Sequence, residues 1–124
     1  MANEISLSIT FNLANGSHTE KITTGTINVD QSAVGGSVPG VVSIGTSEED
    51  VDLSELSTLG WLYMRNLDTT NYVSYGKKDG SNNMQAIGRM EAGEPCLFRL
   101  EPGATLRMQA NTAACKVLIK AFEN

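Results

Sequence analysis

Residues 61–122 meet a turn signal about every ten residues, and that interval constrains the fold more than any other feature of the chain. The signals are Asp68-Thr69-Thr70-Asn71, Lys78-Asp79-Gly80-Ser81-Asn82-Asn83, Glu91-Ala92-Gly93-Glu94, Glu101-Pro102-Gly103 and Asn111-Thr112-Ala113. Each is rich in residues that favour reversals: Gly takes positive φ, Pro presets φ, and Asn or Asp side chains bond to the backbone just ahead of them. Between them the pattern predicts six short strands, at 60–66, 72–77, 84–90, 95–100, 105–109 and 114–122.

The first half adds three more. Ile5, Leu7, Ile9, Phe11 and Leu13 alternate with Ser6, Ser8, Thr10 and Asn12, the period-two signature of a half-buried strand. Asn15-Gly16-Ser17 predicts a tight turn, and a second strand follows with Ile22, Ile27 and Val29 as its inward positions. Ile22 and Ile27 are an odd number of residues apart, so Gly25 between them is expected to mark a bulge. Residues 35–40, rich in Gly and with Pro39, read as a loop before a short strand at 41–44. The acidic stretch 46–56 has two readings: a helical turn capped by Ser47, with Glu48 to Asp50 at its positive end, or a loop that tucks Val51, Leu53 and Leu56 inward.

Eight or nine short antiparallel strands predict an all-β, single-domain sandwich over residues 1–124, jelly-roll-like in topology. An immunoglobulin-like sandwich is the alternative. At 13.2 kDa the chain has the size of one domain. Area scaling gives it roughly 6,400 Å² of folded surface, with about two-thirds of the unfolded surface buried and no need of a metal or disulfide staple.

Composition excludes whole classes of function. A net charge of −5 opposes direct nucleic-acid binding, which depends on clustered Lys and Arg. No apolar run of membrane-spanning length occurs, and Met1-Ala2-Asn3-Glu4 is unlike a signal peptide, so synthesis in a cytoplasm without membrane insertion is expected. Cys96 and Cys115 lie among apolar neighbours and are expected to be buried free thiols.

The inventory of reactive side chains predicts a protein without catalysis. The single histidine, His18, sits beside a turn, with no motif that gives it a nucleophile. One His and two scattered Cys do not make a zinc site, and neither oxygen-rich loop, 48–52 or 79–83, has the spacing of a twelve-residue calcium loop. No catalytic, cofactor or metal residue is therefore assigned. The acidic group Glu48, Glu49, Asp50 and Asp52 is read as a solvated loop, or as a partner for a basic patch on a neighbouring subunit.

Contact residues are a different matter. Trp61 and Tyr63 share one face of their strand, and Leu62 and Met64 share the other. Packing of Trp61 into the core is the expectation. Were Trp61 and Tyr63 outside instead, they would serve as ligand or subunit contacts, a sugar platform among them, together with Asp79, Asn82 and Asn83. Ile5, Leu7 and Ile9 belong to a long strand with few charges, which suits pairing between subunits.

Residues 59–73 (Leu-Gly-Trp-Leu-Tyr-Met-Arg-Asn-Leu-Asp-Thr-Thr-Asn-Tyr-Val), 93–103 (Gly-Glu-Pro-Cys-Leu-Phe-Arg-Leu-Glu-Pro-Gly) and 110–114 resemble small structural proteins of tailed-bacteriophage virions. The resemblance covers roughly the C-terminal half, through an Asn-Leu-Asp turn, a Pro-Gly turn and a final strand. It implies a noncatalytic virion component, a capsid decoration or accessory protein, with a head-tail connector or tail component as the alternative. Its partners would be the major capsid protein or other virion proteins, and it would act as a homo-oligomer, a trimer being one arrangement. A carbohydrate-binding module is the rival reading from the residues.

Overall fold

The computed structural model of the chain describes residues 3–33 and 35–124. Among them are ten strands: β1 (Ile5–Asn15), β2 (His18–Val29), β3 (Gly36–Ile44), β4 (Glu49–Asp50), β5 (Leu59–Asn66), β6 (Val73–Lys78), β7 (Met84–Met90), β8 (Pro95–Arg99), β9 (Leu106–Ala110) and β10 (Cys115–Glu123). By contacts the chain divides into two units, residues 1–33 and 34–124.

The first unit is a two-stranded antiparallel ribbon, β1 against β2. Ser8 pairs with Thr26 and Thr10 with Thr23, so Thr24 and Gly25 together face Ile9. That is the expected bulge, with Gly25 at φ 64° supplying the left-handed residue. The extra residue restores the phase of β2, and the pairs Ile5/Val29, Leu7/Ile27 and Phe11/Ile22 all fall on one face. Ser6/Asn28, Ser8/Thr26 and Thr10/Thr23 fall on the other. The base is closed by Asn3 N–H donating to Asp30 Oδ1 and Gln31 N–H donating to Glu4 Oε2. The expectation that Ile22 and Ile27 point inward is corrected here: they are 55% and 44% exposed, because this unit has no second layer to cover them.

The second unit holds two four-stranded sheets, ordered β3-β10-β5-β8 and β4-β9-β6-β7. The pairs β3/β10, β4/β9, β5/β8 and β6/β7 are nested, as if one long antiparallel hairpin had been wound up. Pairing of β10 with β5 and of β9 with β6 then completes each sheet. This strand order is that of the jelly roll. One buried cluster draws on both sheets, with Leu62, Met64, Val117 and Ile119 from the first and Val73, Met90, Leu106 and Met108 from the second. Full burial of each such side chain stabilises by about 1.5–3 kcal/mol.

Several local expectations change. Residues 36–40, read as a loop, belong to β3, where Pro39 pairs with Lys120. Proline is tolerated there because β3 is an edge strand whose missing N–H need not join the ladder. Segment 46–56 forms the short β4 and no helix, with Val51, Leu53 and Leu56 turned inward at 8–9% exposure. Its carboxylates hold it in place. Glu48 Oε1 accepts from Met84 N–H at 2.6 Å, and Glu49 Oε2 accepts from Gly45 N–H at 3.0 Å. Asp50 pairs with Lys78 at 3.1 Å and with Arg107 at 3.4 Å.

Asn66, at the end of β5, is fully buried. Its amide group lies 2.8 Å from Asn71 O, 3.1 Å from Met90 O and 3.3 Å from Glu91 O, while its Oδ1 accepts from Asp68 N–H at 3.0 Å. One side chain of the first sheet thereby holds the end of β7 in the second. Asn66→Ala leaves these groups without their partner in a dry place, so a loss of about 3 kcal/mol is expected in urea unfolding followed by circular dichroism.

The adjoining turn carries an acid-sensitive component. Asp68 Oδ2 accepts from the backbone N–H groups of Asn71 and Thr70, which hold its carboxyl below the usual range. Asp79, Asp52 and Glu123 are lowered likewise by N–H and O–H donors, chiefly from Asn83, Ser54 and Ser57 respectively. A carboxyl depressed by folding contributes its full stabilisation above the unfolded value of about 4, and loses it as pH falls through the lower folded value. Thermal midpoints should therefore change little on this account between pH 7 and about pH 5 and fall steeply below about pH 4. Asp68→Ala should lower the midpoint at pH 7 and flatten the acid limb.

Candidate functional site

The contact residues read from the sequence lie on different elements of the chain. Ile5, Leu7 and Ile9 lie on the ribbon, Trp61 and Tyr63 on β5 of the first sheet, and Asp79, Asn82 and Asn83 in the turn between β6 and β7 of the second.

That turn is closed on itself. Asp79 Oδ1 accepts from Ser81 N–H at 2.8 Å and from Asn83 N–H at 2.9 Å, and its Oδ2 accepts from the Gln85 side chain at 2.8 Å. Asn82 takes a left-handed conformation at φ 63°, and its carbonyl accepts from Arg107 at 2.8 Å. The carboxylate thus shapes the loop. Among the described residues no three of His, Cys, Asp and Glu are grouped as a metal would need.

An open cleft of about 500 Å³ lies between segment 50–59 and the Pro102-Gly103 turn. Its walls include Val51, Leu53, Leu56, Leu59 and Ala104, and its two carboxylates are already engaged, Asp50 with Lys78 and Arg107 and Asp52 with Ser54. Cys115 is buried, and burial together with the nearby Asp68 charge pushes its thiol up. Cys96 is only half-buried, a departure from the expectation, and lies 3.3 Å from the Tyr75 hydroxyl. Tyr75 stacks on Phe98 at 6.2 Å, and with Cys96 beside it its own pKa is pushed up to about 12. These groups join β6 to β8.

Trp61 and Tyr63 turn outward, correcting the expectation of a core tryptophan. Leu62 and Met64 occupy the inward positions at 0% exposure, and both rings remain half-buried on the outer face of the first sheet. Strand register explains their surroundings. Trp61 faces Arg99, whose guanidinium lies over the indole ring at 5.0 Å. Tyr63 sits between Lys120 and Leu97, and Arg65 between Leu118 and Pro95. With Lys116 also outward on β10, four of the nine Lys and Arg residues stand on this face. The outward positions of residues 61–65, 95–99 and 116–120 include no Asp, Glu, Asn or Gln. Sequence reasoning missed this surface because its cations are far apart in the chain; their common outward phase was the available signal.

The second surface is the apolar face of the ribbon. Phe11 is 57% exposed, Ile9 43%, Ile22 55% and Ile27 44%. The outer edge of β1 carries no charge from Ile5 to Asn15 and, among the described residues, pairs with no other strand. Comparison with protein-family models, curated proteins and solved structures finds no significant match.

Trp61 is the only tryptophan, so its emission reports on the basic face alone. Local cations concentrate iodide and repel caesium, within a Debye length of about 10 Å at 0.1 M salt. Iodide should therefore quench the emission more strongly than caesium, and Arg99→Gln with Lys120→Gln should bring the two quenching constants together.

Proposed function

We propose that this chain is a noncatalytic assembly protein of a bacteriophage virion, in the role of a capsid decoration or accessory component. The observation that carries the assembly part is the ribbon. An isolated two-stranded sheet is marginal in water, and this one displays a continuous apolar face and a long uncharged edge. Covering Ile9, Phe11, Ile22 and Ile27 with a neighbouring subunit would stabilise by several kcal/mol at about 1.5–3 kcal/mol for each fully buried side chain. Ile5, Leu7 and Ile9 are the subunit contacts in this reading, through side-chain packing and through strand addition at the free edge of β1. The partners are further copies of the chain, in a closed oligomer such as a trimer, and the major capsid protein or other virion proteins.

The virion setting rests on the resemblance in the C-terminal half and on the jelly-roll strand order, an architecture that viral capsid domains share with lectins. The lectin alternative is weakened by one geometric observation: Arg99 covers a face of Trp61 on which a sugar would stack.

Two measurements test the proposal. Light scattering on the purified chain should give a mass above 13.2 kDa, and Phe11→Ser with Ile22→Ser should reduce it to the monomer without loss of the β-signal in circular dichroism. Mass spectrometry of purified particles should find the chain in the mature virion. A monomeric wild type, or its absence from particles, would overturn the corresponding half of the reading.

A further inference from the structure

We propose that the outer face of the β3-β10-β5-β8 sheet is a docking surface for an acidic protein segment in which carboxylates alternate with apolar side chains. This surface belongs to the second unit, and the inference does not depend on the assembly reading.

The pattern of the face specifies the occupant. Across β10, β5 and β8 the register builds three successive rows: Trp61 with Arg99, Lys120 with Tyr63 and Leu97, and Leu118 with Arg65 and Pro95. Every row holds one cation beside apolar surface. Rows on one face of a strand are about 7 Å apart and strands about 4.8 Å, so these cations, on β8, β10 and β5 in turn, zigzag along the strands at about 8–12 Å, a gap that their long side chains narrow toward the alternate carboxylates of one extended segment. Trp, Tyr and Arg are the residues that dominate binding energy at protein interfaces.

The guanidinium groups are fixed in advance. Arg65 Nε donates to Gly93 O at 3.1 Å, and Arg99 Nη1 donates to Asn124 Oδ1 at 2.8 Å while its plane lies over Trp61. Each keeps further N–H donors for a carboxylate, and prior ordering removes much of the entropy cost of binding. The three ion pairs among the described residues all lie elsewhere, at Lys78, Arg89 and Arg107.

Other occupants fit less well. Symmetric pairing of two such faces would bring like charges together. The acidic segment of a second copy is a poor partner, since Glu48, Glu49 and Asp50 are occupied in anchoring β4. A neutral glycan would want amide or carboxylate acceptors for its hydroxyls, and the outward positions supply none. Single-stranded nucleic acid would want open ring faces for its bases, and Arg99 occupies one over Trp61.

The test uses the full chain and three probes: a twelve-residue peptide alternating Glu with Leu and Val, its Gln-for-Glu analogue, and two polyanions without apolar side chains, oligo-alginate and a twelve-nucleotide oligothymidine. The expected result is that the acidic peptide shifts the Trp61 indole and Arg65 and Arg99 side-chain resonances in ¹⁵N spectra, with affinity that falls as salt rises. The Gln analogue should bind at least about tenfold more weakly, the scale of lost charge-assisted hydrogen bonds, and both polyanions at least about tenfold more weakly because they keep the charge but have no apolar side chains to bury. Arg65→Gln and Arg99→Gln should each weaken the peptide about tenfold, Arg→Lys at the same sites should weaken it less, and Phe11→Ser should leave it unchanged. The proposal is overturned if the peptide fails to bind, if the arginine variants bind it as well as wild type, or if alginate or oligothymidine binds this face more tightly than the peptide.

Discussion

Asn66 is the only buried polar side chain among the described residues, and the mutual placement of the two jelly-roll sheets depends on it. Apolar contacts between sheets are non-directional, so they reward burial without choosing one relative position. The Asn66 amide does choose: its two N–H groups need the carbonyls that converge on it from Asn71, Met90 and Glu91, the last at a longer 3.3 Å, while its oxygen needs the Asp68 N–H. A shift of the second sheet by one residue would leave that group buried and unsatisfied, at a cost that neighbouring apolar contacts do not return. Asp68 extends the constraint outward by holding the N–H groups of Thr70 and Asn71. The turn after β5 and the end of β7 are therefore one mechanical unit.

With the core so defined, the edges of the sheets acquire a consistent logic. Every edge strand of the second unit is blunted: β4 has two residues, β3 contains Pro39, β8 is short and begins with Pro95, and β7 carries an extra residue, Ile87, opposite Tyr75 and Gly76. Such devices prevent one sheet from pairing with another. The outer edge of β1 has none of them over eleven residues. That uncharged edge and the exposed Ile9 and Phe11 belong to one strand, and on these features the assembly proposal rests.

The sequence disclosed the fold further than the site, for a physical reason. Strands and turns are local, so the turn signals alone bound 84–90 as the structure has it, and the odd interval from Ile22 to Ile27 marks the bulge at Gly25 without reference to any pairing. Residues 36–40 were misread because Gly and Pro signal loops wherever they stand, and only the edge position of β3 makes Pro39 acceptable. Trp61 was misplaced for a different reason. Alternation separates Trp61 and Tyr63 from Leu62 and Met64, but both pairs are apolar, and the choice between them depends on neighbours in β8 and β10. Asn66 was silent because its partners, residues 71, 90 and 91, meet only after the sheets form.

Net charge conceals local charge for a related reason. The chain has 14 Asp and Glu against 9 Lys and Arg, an excess of negative charge summed over the whole molecule. Yet much of that negative charge faces the protein's own backbone: Asp52, Asp68, Asp79 and Glu123 cap turns, and Glu48 and Glu49 fasten β4. Carboxylates suit that work because turns present clusters of N–H donors, and a charged acceptor bonds them more strongly than a neutral one. Arg65, Arg99, Lys116 and Lys120 project instead from the flat of a sheet. The sum of charges and the charge a partner meets are then different quantities, and here they differ in sign on the outer face of the first sheet.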